Sequence, residues 1–415
     1  MEPMKLHFDV RDIFRAPRLA LSGKKIWIFI IANVIGYCTY FILNYIALYL
    51  SGQHFGETWA SQGIYPYLYG MDAPWYAWVL FWTGAIHWLV AIQLACTAVA
   101  RVTYKQLKGD EFYSSGDAFK YVKEHWHPVV FTSISMALIL FFFIGMAIIF
   151  ALFGKIPFVG EFLFALPYIF YFFGAVFTVY TLIVFLVSFI YTPAIVGTIE
   201  EDTMGAVFNS YSITWNQPWR VIAYNAILLP LAAISVGIFK ITMLYGFKLV
   251  NMVFGHEMLM GLKLSNIVGS AAHNVWPIDL FNSMIASCQL SSGSSSKYSI
   301  TSNVLNNFYT FFIPDAPSSF SGTEFFAAVI VGIFLFLISI SFFSYFLSIL
   351  SVGETIMFTI FRKKSDDDNI LERKGEEGEE LENENDKIND DAINLVNNNS
   401  DSSTDNSDDN PSSKE

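Results

Sequence analysis

The side chains with most chemical potential in this chain are polar groups set inside long apolar runs. In the first run Asn33, Tyr37, Tyr40 and Asn44 recur at intervals of four, three and four, so a helix carries them as one stripe. Amides and phenols on one face can bond across a seam between helices, or they can line a polar pathway or ligand cavity. Tyr171, Gly174, Thr178, Thr181 and Ser188 form a second stripe, and Ser341, Ser344, Ser348 and Ser351 a third. Hydroxyl and small residues let helices approach, and each cross-seam hydrogen bond is worth about 1 kcal/mol or less. Packing is therefore the plainer reading of all three stripes. His87 lies mid-run with Thr83 and Thr97 on nearly the same face. An interhelical hydrogen bond accounts for it more simply than a proton relay, because no run interior supplies an Asp or Glu partner. Glu161, Glu324 and Glu354 fall at run ends on this reading. Carriers coupled to protons or sodium commonly hold a carboxylate at mid-membrane, so that class is disfavoured.

Enzyme signatures are absent. His256–Glu257 lacks the second His of a zinc-protease helix. Glu124 and His127 have the Glu-x-x-His spacing of a di-iron site, but once only, whereas such sites need two and further Glu. Cys38, Cys96 and Cys288 suggest neither a disulfide framework nor metal-ligand spacing. No catalytic, cofactor-binding or metal-ligating residue is assigned. The expectation is no enzyme, no cofactor and no nucleic-acid partner.

The elements that must position the stripes are membrane spans. The 415 residues are 54% hydrophobic and only 14% charged, against roughly a quarter charged in soluble domains. Six runs are long enough to cross a bilayer: Ile26–Leu50, Trp75–Val99, Pro128–Phe153, Phe162–Tyr191, Trp219–Val250 and Phe325–Leu350. The expected fold is an all-α, polytopic transmembrane helix bundle. Lys5, Arg11, Arg15, Arg18, Lys24 and Lys25 precede the first run, Arg101, Lys105, Lys108, Lys120 and Lys123 follow the second, and Arg362–Lys364 follow the sixth. Basic residues are retained in the cytoplasm, so both termini are expected there.

Three of the expected cytoplasmic segments share a layout. Ser114–Asp117 reads as a capping box, followed by Ala118, Phe119, Val122 and Trp126 on one face and a break at Pro128. Asp202 or Thr203 can cap a second such helix, with Met204, Val207, Phe208, Tyr211 and Trp215 on one face and a break at Pro218. Val10, Ile13, Phe14 and Pro17 form a looser copy. Each would be an in-plane amphipathic helix at the headgroup boundary, leading into an outward and a return span. Trp126, Pro128, Trp215 and Pro218 mark the elbows.

The organisation expected is a cytoplasmic amphipathic segment at 1–25, a six-span domain at 26–364 with a large outer loop at 251–324, and a tail at 365–415. The tail carries net charge −14, so the −12 of the whole chain leaves the membrane body at +2. Its Asp/Glu/Asn/Ser composition predicts disorder. Either it solvates, or it docks a basic cytoplasmic protein.

Several stretches carry a resemblance. They are Leu107–Gly109 with Tyr113–Ser114 and Ala118; Gly154–Gly160 leading to Pro193–Ala194; Ala206–Ser212 through Gln217–Trp219 to Tyr224; and Thr355–Ile356 with Phe361–Arg362. Together they resemble an uncharacterised family of bacterial multi-pass inner-membrane proteins of about six spans, with no assigned activity. The family pattern has Ser-Arg-Ser where this chain has Phe208–Asn209–Ser210, so a role for that Arg does not carry over. The resemblance implies a bacterial inner membrane and no particular chemistry. With membrane lipids as its surroundings, the chain is expected to be a non-enzymatic scaffold or assembly factor. The alternative is a passive channel or facilitator for a neutral or lipid-like solute.

Overall fold

The computed structural model describes residues 4–69, 71–278, 282, 306–307, 309–314 and 321–372. Among these there is no strand. A 3-10 turn, Val10–Arg15, leads into α1 (Ala16–Ala20). Then come α2 (Gly23–Leu50), α3 (Phe55–Gln62), α4 (Trp75–Leu107), α5 (Ser115–Glu124), α6 (Trp126–Phe153) and α7 (Val159–Ala165). The remainder are α8 (Tyr168–Ile199), α9 (Thr203–Asn216), α10 (Pro218–Phe254), α11 (Leu262–Val275) and α12 (Gly322–Asp366). Six of them, α2, α4, α6, α8, α10 and α12, are long and apolar enough to cross a membrane. The chain is a multi-pass helical membrane protein. The chain from Asn369 onward forms a separate unit, in which Asn369 Nδ2 donates to Glu372 Oε1 at 2.6 Å.

The spans differ from the sequence reading at their ends. The second runs on to Leu107 and the fourth to Ile199, and the sixth continues to Asp366. The start read at Phe162 belongs to the separate helix α7. At 1.5 Å per residue α4 is about 50 Å long, against about 30 Å of hydrocarbon. Hydropathy finds only the lipid-facing part of such a helix, because the remaining turns are covered by protein instead.

Those extra turns build the core. Arg101–Tyr104 of α4, Tyr191–Thr198 of α8 and Thr355–Phe361 of α12 are buried on every face. They meet at the end of the bundle that carries Arg11, Arg18, Lys120 and Lys123, here called the basic end. Gly197 sets the α4–α8 crossing: a Cβ there would lie 2.8 Å from Ala100 Cβ and 2.9 Å from the Thr97 carbonyl oxygen. Ser351 Oγ of α12 donates to the Cys96 carbonyl of α4 at 2.9 Å.

The chain forms three hairpins, α2/α4, α6/α8 and α10/α12, each preceded by an elbow. Each elbow packs on the return helix of another hairpin: α5 on α4, α9 on α8, and α1 on α12. The α5 capping box is present as read, with Ser114 and Asp117 exchanging bonds, and the two bonds from Ser114 hold the Asp117 carboxyl below the usual carboxylate range. Asp202, not Thr203, caps α9.

The faces of the elbows require correction. The core-facing residues of α9 are Ala206, Val207, Ser210, Ile213 and Thr214, while Met204, Phe208 and Trp215 are exposed. In α5 they are Ala118, Tyr121 and Val122, and Phe119 and Trp126 point out. Phe14 likewise faces out, and Asp12 and Ile13 are buried. Each elbow therefore buries one face on protein and leaves its large aromatics exposed on another. Small residues fit the close approach to a return helix, and large aromatics are left for the bilayer boundary, where amphipathic rings partition.

Candidate functional site

The stripe on α2 lines a cavity with polar groups on its walls. Asn33, Tyr37 and Tyr40 line a chamber of about 630 Å³ together with Ala85, Trp88 and Leu89 of α4, Phe336 and Ser339 of α12, and Tyr65–Tyr67 of the α3–α4 connection. Its volume falls within the usual range for small-molecule sites, roughly 300–1,000 Å³. No charged side chain lines it.

Glycines bring the walls together. A Cβ on Gly36 would fall 2.2 Å from Trp88 Cδ1, so only Gly lets that indole lie flat against α2. Gly84 brings α4 against the α2 backbone at Tyr40, where an added Cβ would lie 3.2 Å from Tyr40 Cα. The indole then donates from Nε1 to Asn33 Oδ1 at 3.1 Å. Asn33 Nδ2 in turn donates to Ser344 Oγ at 3.2 Å. One fully buried carboxamide thus joins α2, α4 and α12.

The roof is held by phenols. Tyr37 OH donates to the Ile64 carbonyl at 2.5 Å, Tyr40 OH to Pro66 at 2.9 Å and Tyr45 OH to Gly63 at 2.5 Å. Gly63 follows α3 at φ +53°, ψ −127°, a conformation reserved for glycine. Tyr65 OH donates to the Val275 carbonyl of α11 at 2.7 Å, and burial pushes this hydroxyl up to about 12. Trp276 Nε1 donates to Ser339 Oγ at 2.7 Å. On the side, Leu89 and Phe343 are both 45% exposed, so the chamber opens laterally between α4 and α12.

No family model, curated protein or solved structure matches this chain.

The other sequence candidates fall elsewhere. Asn44 is buried beside the chamber's stripe but lines no wall of it; its Nδ2 donates to the Tyr40 carbonyl on its own helix. Thr178 bonds to the Gly174 carbonyl of its own helix, and Thr181 accepts from Tyr211 OH of α9 at 3.3 Å. Thr181 and Ser188 of the α8 stripe are buried in packing, whereas Tyr171, Gly174 and Thr178 line an apolar cavity of about 1230 Å³ between α6 and α8. Ser348 and Ser351 bolt α12 to the Ala20 carbonyl and to α4. His87 is exposed, as is Thr83, while Thr97 is buried. The expected interhelical donor is therefore replaced by a side chain on the outward face of α4. Trp126 and Trp215 are exposed, Pro128 lies in the first turn of α6, and Pro218 opens α10.

Glu354 gains surroundings that the sequence did not show. It lies just past the apolar run, as read, but α12 continues beyond it, and the residue is half-buried at the junction of the return helices. Ser351, one turn earlier, bonds to α4; Met357, one turn later, accepts from Tyr191 OH of α8 at 3.5 Å. Glu354 between them is within electrostatic reach of Cys96 and Tyr191.

Sequence reasoning missed Trp88, Phe336 and Ser339, because nothing along one chain says which turns of two helices will face. It also missed the Arg101–Glu200 ion pair, 2.5 Å, which joins α4 to the left-handed cap of α8. Arg101 lies 4.4 Å from the Tyr121 ring centroid, and Tyr121 OH donates to the Val196 carbonyl at 2.6 Å. Burial lifts that hydroxyl above the usual phenol range against the pull of Arg101. The signal was a basic residue two positions beyond a span end drawn at Val99. Of the outer loop, Phe312 and Ile313 are described and are buried against α11. Residues 279–281 and 283–300 of the loop, Cys288 among them, and nearly all of the acidic tail lie outside the described residues.

Proposed function

We propose that this protein binds an uncharged, lipid-like molecule in the chamber between α2, α4 and α12 and serves as a passive facilitator for it. One observation carries the reading. A carboxamide, several phenols and a serine hydroxyl converge on a cavity with aromatic walls, no charge, and a lateral mouth in the apolar part of the bundle. Such a site desolvates an apolar body at little cost and orients it through a few hydrogen bonds. A charged solute would find no counter-ion there. The setting we propose is the bacterial inner membrane with both termini cytoplasmic. The charge pattern supports the orientation, since Arg11, Arg18, Lys120 and Lys123 share the basic end.

The test is photolabelling in nanodiscs with a diazirine-bearing long-chain alcohol. Adducts should concentrate on peptides containing Tyr37, Trp88 and Phe336, and should fall in Asn33→Leu. Adducts spread only over the outward faces of α6 and α8, unchanged in that variant, would refute the proposal.

A second reading, a membrane scaffold or assembly factor, draws on the outward aromatics of the elbows. Trp215 and Trp219 are 75% and 80% exposed at the basic end. A partner recovered in mild detergent and lost on removal of 365–415 would support it; an unchanged set of partners would count against it.

A further inference from the structure

A second cavity, about 470 Å³, lies against the first. Its walls include Cys38 and Phe41 of α2, Ser270 and Asn274 of α11, and Ala328 and Gly332 of α12. It too has no charged lining. Tyr37 and Phe336 belong to both cavities, with ring centroids 4.7 Å apart. Along α12, Gly332 touches the second cavity, Phe336 both and Ser339 the chamber alone. On α2, Tyr37 touches both, with Asn33 and Tyr40 on the chamber and Cys38 and Phe41 on the second cavity. The second cavity therefore adjoins the chamber toward the start of α12, with a pair of rings between them.

We propose that the second cavity is an outer station on the same ligand route, and that Tyr37 and Phe336 are the gate that selects slim, uncharged molecules for the chamber. The proposal deepens the ligand-binding reading by giving it a path and a filter. The ring of Tyr37 is held by its hydroxyl on the Ile64 carbonyl, and the strand of chain bearing Ile64 is tied to α11 through Tyr65 and Val275. Phe336 has no such tether, so its rotation is the smaller rearrangement that joins the two spaces. Ser270 and Asn274 offer a hydroxyl and a carboxamide to the polar end of a molecule waiting there, though Asn274 Nδ2 already donates to the Ser270 carbonyl at 2.9 Å. Its apolar end meets Phe41, Ala328 and Gly332.

Cysteine alkylation separates this from ligand binding itself. In full-length protein with Cys38, Cys96 and Cys288 replaced by Ala, Asn274→Cys reports on the outer station and Ser339→Cys on the chamber. Iodoacetamide, small, uncharged and water-soluble, is applied to nanodiscs. Asn274→Cys should react readily, at a rate independent of residue 336. Ser339→Cys should react slowly, and about tenfold faster when combined with Phe336→Ala, a barrier change of roughly 1.4 kcal/mol. Tyr37→Phe, which keeps the ring and removes the tether, should give a smaller rise in the same direction. Phe336→Leu serves where the Ala variant fails to fold. Equal Ser339→Cys rates with and without the Phe336 substitution overturn the gate, because the chamber is then reached by its lateral mouth. An unreactive Asn274→Cys overturns the outer station. Neither result depends on the photolabelling outcome, so the route and the ligand site can fail separately.

Discussion

At the scale of single residues, Asn33 and Gly36 carry the chamber. Asn33→Leu leaves Trp88 Nε1 and Ser344 Oγ without their shared partner. The expected loss is about 1–2 kcal/mol of stability, since buried groups left unpaired cost more than the modest net worth of a membrane hydrogen bond. Reversible unfolding in mixed micelles measures it, and no change would mean that water or lipid replaces the amide. Gly36→Ala should cost about 1–3 kcal/mol by overpacking against Trp88. Gly237→Ala is the control: nothing lies within 4 Å of a Cβ there, and the change should be neutral or slightly stabilising. The stripe of α2 was legible because periodicity alone places three of its residues on one wall. Trp88 was not, because the glycine opposite it reads in sequence only as an absent side chain. His87 misled for the converse reason: mid-span position says nothing about which way a side chain faces.

At the scale of elements, the return helices matter more than their hydropathy suggests. Gly197→Val would drive a side chain into the Thr97 carbonyl and Ala100, where backbone cannot retreat. A loss of about 3 kcal/mol is expected, read as loss of monodisperse protein on size exclusion. Tyr121→Phe removes one bond to the Val196 carbonyl and should cost about 1 kcal/mol. The pH dependence has a definite sign. The Tyr121 hydroxyl holds its proton more tightly folded than unfolded, so its contribution is complete below about pH 10 and is lost as alkali approaches the raised folded value. In Tyr121→Phe that alkaline loss should be smaller, and an identical alkaline profile would remove the assignment. Helix identity and capping were readable, as Ser114–Asp117 proves at α5. The ends of α4, α8 and α12 were not, since apolarity marks where lipid stops and these helices continue into protein.

At the scale of the whole molecule, each of the three hairpins follows an elbow, and each elbow packs on the return helix of another hairpin. Side-specific labelling tests the orientation proposed above. Cysteines placed at His54 and Asn274 should react from one face, and those at Asp9 and Lys363 from the other; any mixed pairing breaks the six-span scheme. The first elbow has one further consequence. Its Pro17 and Ala20 carbonyls are bound by Tyr345 and Ser348, and Ile13 and Ala16 are covered at the same place. During translation this segment emerges long before α12 exists, so it must wait, uncovered, for most of the chain to be made. A nascent protein stalled before Gly322 would display that bare patch to membrane proteases, and the cell could tell a finished copy from an unfinished one by whether its earliest helix has found its latest.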